Sequence, residues 1–185
     1  MRYFKKVQGK RVYLSPLNSG DVEKYTEWLS DIEIVRYLSM AYKITTLEAE
    51  REWVKSAGAS NFAIITQEGD RMIGSCGFVS TNNIQRKAEV GIVIGEKDCL
   101  GKGYGTEAMS LLLDYGFNIL NLHRIGLRAF SFNERAIRCY EKCGFKMTGR
   151  HREAGRIDGK YYDEILMDIL EDEFRSLPNG TINRK

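Results

Sequence analysis

A mixed α/β domain, one sheet with helices packed on it, is the fold class this sequence predicts. Three observations carry it. Short alternating apolar runs recur along the chain and read as strands. Segments with three-and-four apolar spacing lie between them, giving the order strand, helices, three strands, helix, strand, helix, two strands. The length of 185 residues, with 43% hydrophobic and 29% charged side chains, suits one domain with a real core and a charged surface.

Residues 10–14 alternate and predict the first strand. Residues 21–29 follow as a helix with Val22, Tyr25 and Leu29 on one face, and residues 32–38 as a second, short helix. Thr45-Thr46-Leu47-Glu48 fits a capping box, which starts a helix through about residue 57 that Gly58 ends. Residues 62–66 and 72–79 read as strands joined by a polar turn at 67–70, and residues 89–94 as the next strand. A helix over 105–120 turns Ala108, Leu111, Leu112, Tyr115 and Ile119 inward. Residues 124–130 read as a strand, 133–143 as a helix stopped by Gly144, and 145–149 as the start of a strand. Asp158-Gly159 is a hairpin turn into a last strand over 161–169. The polar tail 178–185 is expected to fray, which leaves residues 1–177 as the domain.

Composition excludes several function classes. A net charge of +3, from 28 basic and 25 acidic residues, is too balanced for a nucleic-acid-binding surface. The basic cluster Arg2, Lys5, Lys6, Lys10 and Arg11 reads as a solvated end. No apolar run is long enough to span a membrane, and residues 1–14 carry charges without an apolar signal region, so the cytoplasm is the expected location. Cys76, Cys99, Cys139 and Cys143 form no CxxC pair and read as ordinary thiols, although Cys139 and Cys143 face the same way on a helix. His123 and His151 have no ligand-like spacing to them, so no metal is expected.

The strongest chemical signal is Leu100-Gly101-Lys102-Gly103-Tyr104-Gly105-Thr106, which joins a strand to the long helix. Glycines at 101, 103 and 105 let the backbone curl and its amides converge. The helix start adds orphan N–H groups and the positive end of its dipole, so the turn is an anion site suited to a diphosphate. Lys102 adds charge at the rim. A Walker loop does not fit, because no glycine stands five before Gly101 and Gly103 follows Lys102. A dinucleotide fingerprint does not fit either, because position 106 is threonine. A tight turn without a ligand is the bland alternative.

The stretch AEVGIVIGEKDCLGKGYGTEA resembles the central motif of the GNAT (Gcn5-related) N-acetyltransferase family, and NERAIRCYEKCGF resembles its second motif. With YTEWLSDIEIVRYL near the start, the resemblance covers most of the chain and is closest in style to the ribosomal-protein N-terminal and small-amine acetyltransferases. The glycines match the family's Gln/Arg-x-x-Gly-x-Gly/Ala loop, with Gly103 and Gly105 as its glycines. One departure is plain: Leu100 stands where the family has Gln or Arg. The resemblance implies the GNAT fold, a mixed, mostly antiparallel central sheet of about seven strands with helices on both faces. It also implies acetyl-CoA as cosubstrate, its diphosphate on the amides of residues 100–106.

The reaction implied is attack of a neutral amine on a thioester, which needs a base, a donor to the oxyanion and a proton for the leaving thiolate. Glu89 is the candidate base, eleven residues before Leu100 among apolar neighbours, at the offset the family's histone-acetylating branch uses. The alternative is a glutamate turned to solvent or to a salt bridge. The resemblance runs the pantetheine arm along Ile92, Val93 and Ile94, where strands splay, and gives Asn133 a contact to it. Asn133 is also a good N-cap. Ala136 leaves room for the arm. Tyr140, seven residues after Asn133 and on its face, is the implied proton donor to the thiolate; a core tyrosine is the alternative. The resemblance brings the acceptor in near Trp28, Tyr37, Tyr42, Trp53, Tyr161 and Tyr162, whose rings could hold an amine by cation–π contact; a place in the core is the more usual role for such aromatics. Three functions stand open: acetylation of a protein N-terminus or small amine, acetylation of an aminoglycoside or amino sugar, and non-catalytic acyl-CoA sensing. A homodimer is compatible with the family, with no direct signal in the residues.

Overall fold

Strand alternation builds one eight-stranded sheet in the computed structural model, which describes residues 3–38, 43–57 and 60–177. The strands are β1 (Val7–Gln8), β2 (Val12–Pro16), β3 (Asn61–Thr66), β4 (Met72–Asn82), β5 (Lys87–Ile94), β6 (Arg124–Phe130), β7 (Lys146–Ile157) and β8 (Lys160–Leu170). They lie in the order β1-β2-β3-β4-β5-β6-β8-β7. Every neighbouring pair is antiparallel except β5–β6. The helices are α1 (Val22–Ser30), α2 (Ile32–Val35), α3 (Leu47–Ala57), α4 (Tyr104–Asn118), α5 (Glu134–Lys142) and α6 (Glu171–Arg175).

Successive side chains of a strand point to opposite faces, and here both faces are covered. Val12, Leu14, Ile64 and Ile73 pack under α4 and α5 with Leu111, Leu112 and Met109. Tyr13, Ala63, Ile65 and Met72 face the other way, onto Val22, Tyr25 and Trp28 of α1 and Val54 of α3. The expectation of helices on both faces of a mostly antiparallel mixed sheet is met.

Several details differ from the sequence reading. There are eight strands, not about seven, because the two-residue β1 is too short to show a period. Trp28, not Leu29, completes the buried face of α1. α4 ends one residue before Ile119, which is 48% exposed rather than inward. At α3 the cap is Thr46, whose hydroxyl accepts from the Ala49 N–H at 3.2 Å, in place of a Thr45–Glu48 box. β7 runs to Ile157, a stretch of exposed polar residues in which no alternation marks a strand. Gly58, Tyr42 and the tail 178–185 lie outside the described residues.

The feature that places the site is a fork. β5 and β6 pair only at Lys87–Arg124, Ala88–Ile125 and Glu89–Gly126. Beyond Glu89 the ladder stops, while β5 stays paired to β4 as far as Ile94. Residues 90–94 of β5 therefore present one edge with no strand beside it.

Candidate active site

A cleft of about 860 Å³ opens at this fork. Its floor is β5 from Glu89 to Ile94, one end is the glycine loop, and its roof is the face of α5 that carries Asn133, Ala136, Cys139 and Tyr140.

The loop has the geometry its glycines promise. Gly101 and Gly103 take φ of 73° and 84°, values that L side chains rarely adopt. Gly103 caps α4 without any side-chain bond, and Glu107 N–H closes the first turn on the Gly103 carbonyl. The amides of Tyr104, Gly105 and Thr106 thus have no helical acceptor, and Gly105 has Ile94 as the nearest neighbour of any added Cβ, at 3.6 Å. Leu100, Gly101, Gly103, Gly105 and Thr106 line the cleft. Lys102 and Tyr104 do not; what they offer a ligand is backbone, and the Tyr104 ring lies under the Arg11 guanidinium at 4.2 Å. An open, amide-rich turn of this kind fits a diphosphate.

Glu89 sits half-buried at the last rung of the β5–β6 ladder. Its carboxylate fills space that Gly126 leaves free, since a Cβ there would stand 2.7 Å from Oε1. Asn133 is the N-cap of α5, its Oδ1 accepting from the Ala136 N–H at 3.2 Å, and it also lines the cleft, so the cap and a side-chain amide facing the site coexist. Ile137 turns into the core instead. Tyr140 is 8% exposed, edge-on to Phe145 at 5.9 Å, and still reaches the cleft wall. Burial, reinforced by the neighbouring cysteines, pushes its hydroxyl above the ordinary phenol range, so it keeps its proton.

Residues 11–146 match the family model for the GNAT acetyltransferase domain. The chain belongs to the GNAT acetyltransferase family. It is an acetyl-CoA-dependent acyltransferase. Among relatives of this GNAT enzyme, the probable N-acetyltransferase YjcK of Bacillus subtilis is 31% identical, covering 89% of this chain and 96% of that one. A spermidine N(1)-acetyltransferase of Vibrio cholerae is 35% identical over 60% of this chain and 64% of its own length. The crystal structure of spermidine N-acetyltransferase from Vibrio cholerae in complex with CoA and spermine aligns with a TM-score of 0.80 and 29% identity, covering 89% of this chain and 98% of that one.

Other GNAT site features were not visible beforehand. Cys139 is a cleft wall, not a bystander. Its sulfur lies 3.2 Å from Thr106 Oγ1, and hydrogen bonding from Cys143, then from Thr106, holds its thiol below the usual range. Its spacing of three from Ala136 on one helix face is the signal that could have found it. A second cavity of about 530 Å³ shares Glu33, Arg36, Leu38, Phe130 and Glu164 with the first. Glu164 is nearly buried between Arg128 at 3.6 Å and His151 at 3.7 Å; only the β6-β8-β7 strand order brings these together. Of the expected acceptor aromatics, Tyr37 lines the cleft, Trp28 is buried in the α1/α3 core with Trp53 packed against it, and Tyr161 is exposed. Tyr162 packs tilted against Phe132, their ring centroids 4.6 Å apart. Among the described residues no cluster of His, Cys, Asp and Glu could hold a metal, and no helix is long and apolar enough to cross a membrane.

Proposed function

We propose that this enzyme moves the acetyl group of acetyl-CoA to the primary amine of a small molecule, by direct attack on the thioester. The observation that carries the reading is the fork: a carboxylate at its base, an unpaired strand edge along its floor and a buried, protonated tyrosine in its roof share one cleft with an amide-rich anion site. The amides of the glycine loop hold the diphosphate. The free edge at Ile92, Val93 and Ile94 pairs with the pantetheine amides, and Asn133 adds its side-chain amide while Ala136 leaves clearance.

Glu89 takes the proton that the incoming ammonium must lose. A β5 amide holds the oxyanion that develops on the carbonyl. Tyr140 gives its proton to the departing thiolate; its raised pKa keeps the hydroxyl protonated until the thioester breaks, so a donor stands ready where the thiolate forms. The acceptor enters from the second cavity, whose Phe130 and Ile157 suit a methylene chain and whose Glu33, Asp158 and Glu164 meet a cation once it displaces their present partners Lys97, Arg36 and Arg128. The spermidine acetyltransferases among its relatives support a polyamine-like acceptor. Four free thiols are in keeping with a reducing cytoplasm.

The test is a panel of amines with acetyl-CoA, read as free thiol released. Polyamines and diamines are expected to turn over, and Glu89→Gln to lose turnover most at low pH while binding coenzyme A normally. Turnover only with aminoglycosides or with peptide N-termini would overturn the small-amine reading. An unchanged pH–rate profile in Glu89→Gln would remove Glu89 as the base.

A further inference from the structure

The glycine loop is held from behind by a residue outside both family-like motifs. Arg11 stands between β1 and β2. Its Nη1 donates to the Lys102 carbonyl at 2.8 Å, and its guanidinium lies over the Tyr104 ring. The same hairpin grips α4 a second time: the backbone N–H groups of Arg11 and Val12 donate to Glu107 Oε1, at 2.8 and 3.4 Å. Gly9 leaves no room for a side chain against that carboxylate.

This grip has a direction. In a trans peptide the C=O and the following N–H point opposite ways, and the described chain has no cis bond. Drawing the Lys102 oxygen onto Arg11 turns the Gly103 N–H away from Arg11. Gly101, Gly103 and Gly105 line the cleft, whereas Arg11, Lys102 and Tyr104 do not. The side away from Arg11 is thus the cleft side. Gly101 and Gly103 are both in the left-handed region, where glycine alone imposes little preference, so something outside the loop must select the conformation. Leu100 has no polar group to do it. The guanidinium of Arg11 makes no ion pair with a carboxylate among the described residues, since Glu107 is taken up by backbone N–H groups, so its positive charge stands behind the anion site.

We infer that Arg11 is a positioning residue for the diphosphate-binding loop: by fixing the Lys102 carbonyl outward it aims the Gly103 amide at the coenzyme, and it supplies from the β1–β2 hairpin the support that Leu100 cannot. The inference rests on the coenzyme assignment above, and its effect is confined to the part of the acyl donor that carries phosphate. It predicts a split between donors. S-acetyl-pantetheine has the same arm and thioester as acetyl-CoA and no diphosphate.

Arg11→Ala and Arg11→Lys are therefore assayed with both donors, with coenzyme A affinity measured separately by calorimetry. Arg11 is exposed, and folding is checked by thermal melting. In Arg11→Ala the Kd for coenzyme A and the KM for acetyl-CoA rise about tenfold, the scale of one charge-assisted hydrogen bond. Its kcat at saturating acetyl-CoA stays within about twofold, and kcat/KM for S-acetyl-pantetheine does not change, because neither Glu89 nor Tyr140 is touched. Arg11→Lys, with its charge but without the planar fork, recovers part of the affinity. An unchanged KM for acetyl-CoA, or equal losses with both donors, overturns the inference. If the parent enzyme itself fails to bind coenzyme A, the coenzyme assignment falls first and the role of Arg11 falls with it.

Discussion

The two faces of the sheet are built from different materials. Under α4 and α5 the core is mostly aliphatic, with Ile64, Ile73, Leu111, Leu112, Leu113 and Ile125 all but inaccessible, and its buried rings are mainly phenylalanines such as Phe62, Phe78, Phe117 and Phe174. Under α1 and α3 it is aromatic and mixed with polar groups: Tyr3, Tyr13, Tyr25 and Trp28 share the space with Asp21 and Glu50. The Tyr25 hydroxyl and Glu50 Oε2 are buried there without a hydrogen bond among the described residues. The coenzyme site is bolted to the first face, through the start of α4 and the cleft side of α5. The lesson is that the face that must hold amides and a hydroxyl in register is densely packed hydrocarbon, while the face that only closes the domain tolerates unsatisfied polar atoms.

The comparison breaks most visibly by cutting the aliphatic face. Leu112→Ala, at a fully buried position of α4, should cost about 2–5 kcal/mol, read from urea unfolding at constant m-value. A loss under about 1 kcal/mol would mean that face is no tighter than the other. Next in size is Tyr140→Phe, which removes one hydroxyl and almost no packing. Turnover should fall roughly 10²-fold while the melting temperature and coenzyme A affinity hold. If melting drops and turnover follows only the folded fraction, Tyr140 belongs to the core and not to the chemistry.

Cys139 sharpens the boundary between packing and site. Its thiol is held low, so alkylation by iodoacetamide should proceed well below the ordinary thiol pKa of about 8.5, and faster than at buried Cys76, whose pKa burial raises. Coenzyme A should slow it, followed by mass spectrometry of peptides; equal rates with and without coenzyme A would take Cys139 out of the coenzyme's path. The smallest effect is expected on the polar face. Burial raises the Glu50 pKa, so its contribution to stability is present below the unfolded carboxylate value and is lost as pH rises through the folded one. Glu50→Gln should therefore raise the melting temperature at pH 7 and leave it unchanged near pH 4. A destabilised variant at pH 7 would show that the carboxylate is satisfied after all.

How much of this was legible depended on where the controlling interaction lies. The loop was readable because Gly101 and Gly103 announce a backbone requirement within a few residues, and Asn133 because a cap acts on its own helix. Helical spacing put Tyr140 on the face of Asn133, where it lines the cleft, and only the family resemblance suggested a role for it. The fork was not readable: β5 carries nothing that says where its ladder to β6 stops. Arg11 and Glu164 were hidden for the same reason, since each is defined by a partner far along the chain. β7 was read only at its start, because its long exposed stretch shows no alternation, and α6 was missed because a five-residue helix shows too little periodicity.

The long outer strand β7 has a consequence for how copies of this enzyme share a crowded solution. It is the sheet's last strand, twelve residues long and exposed almost throughout, a row of free backbone groups that another strand could join. Two bulges break its register with β8, between Met147 and Gly149 and between His151 and Gly155. Lys146, Arg150, Arg152 and Arg156 stud it with positive charge, and neither Arg152 nor Arg156 has a carboxylate within ion-pair distance among the described residues. Two such edges meeting would press guanidinium on guanidinium. The strand is thus colloidally guarded by like-charge repulsion and by an irregular template, a guard that concentrated salt would weaken.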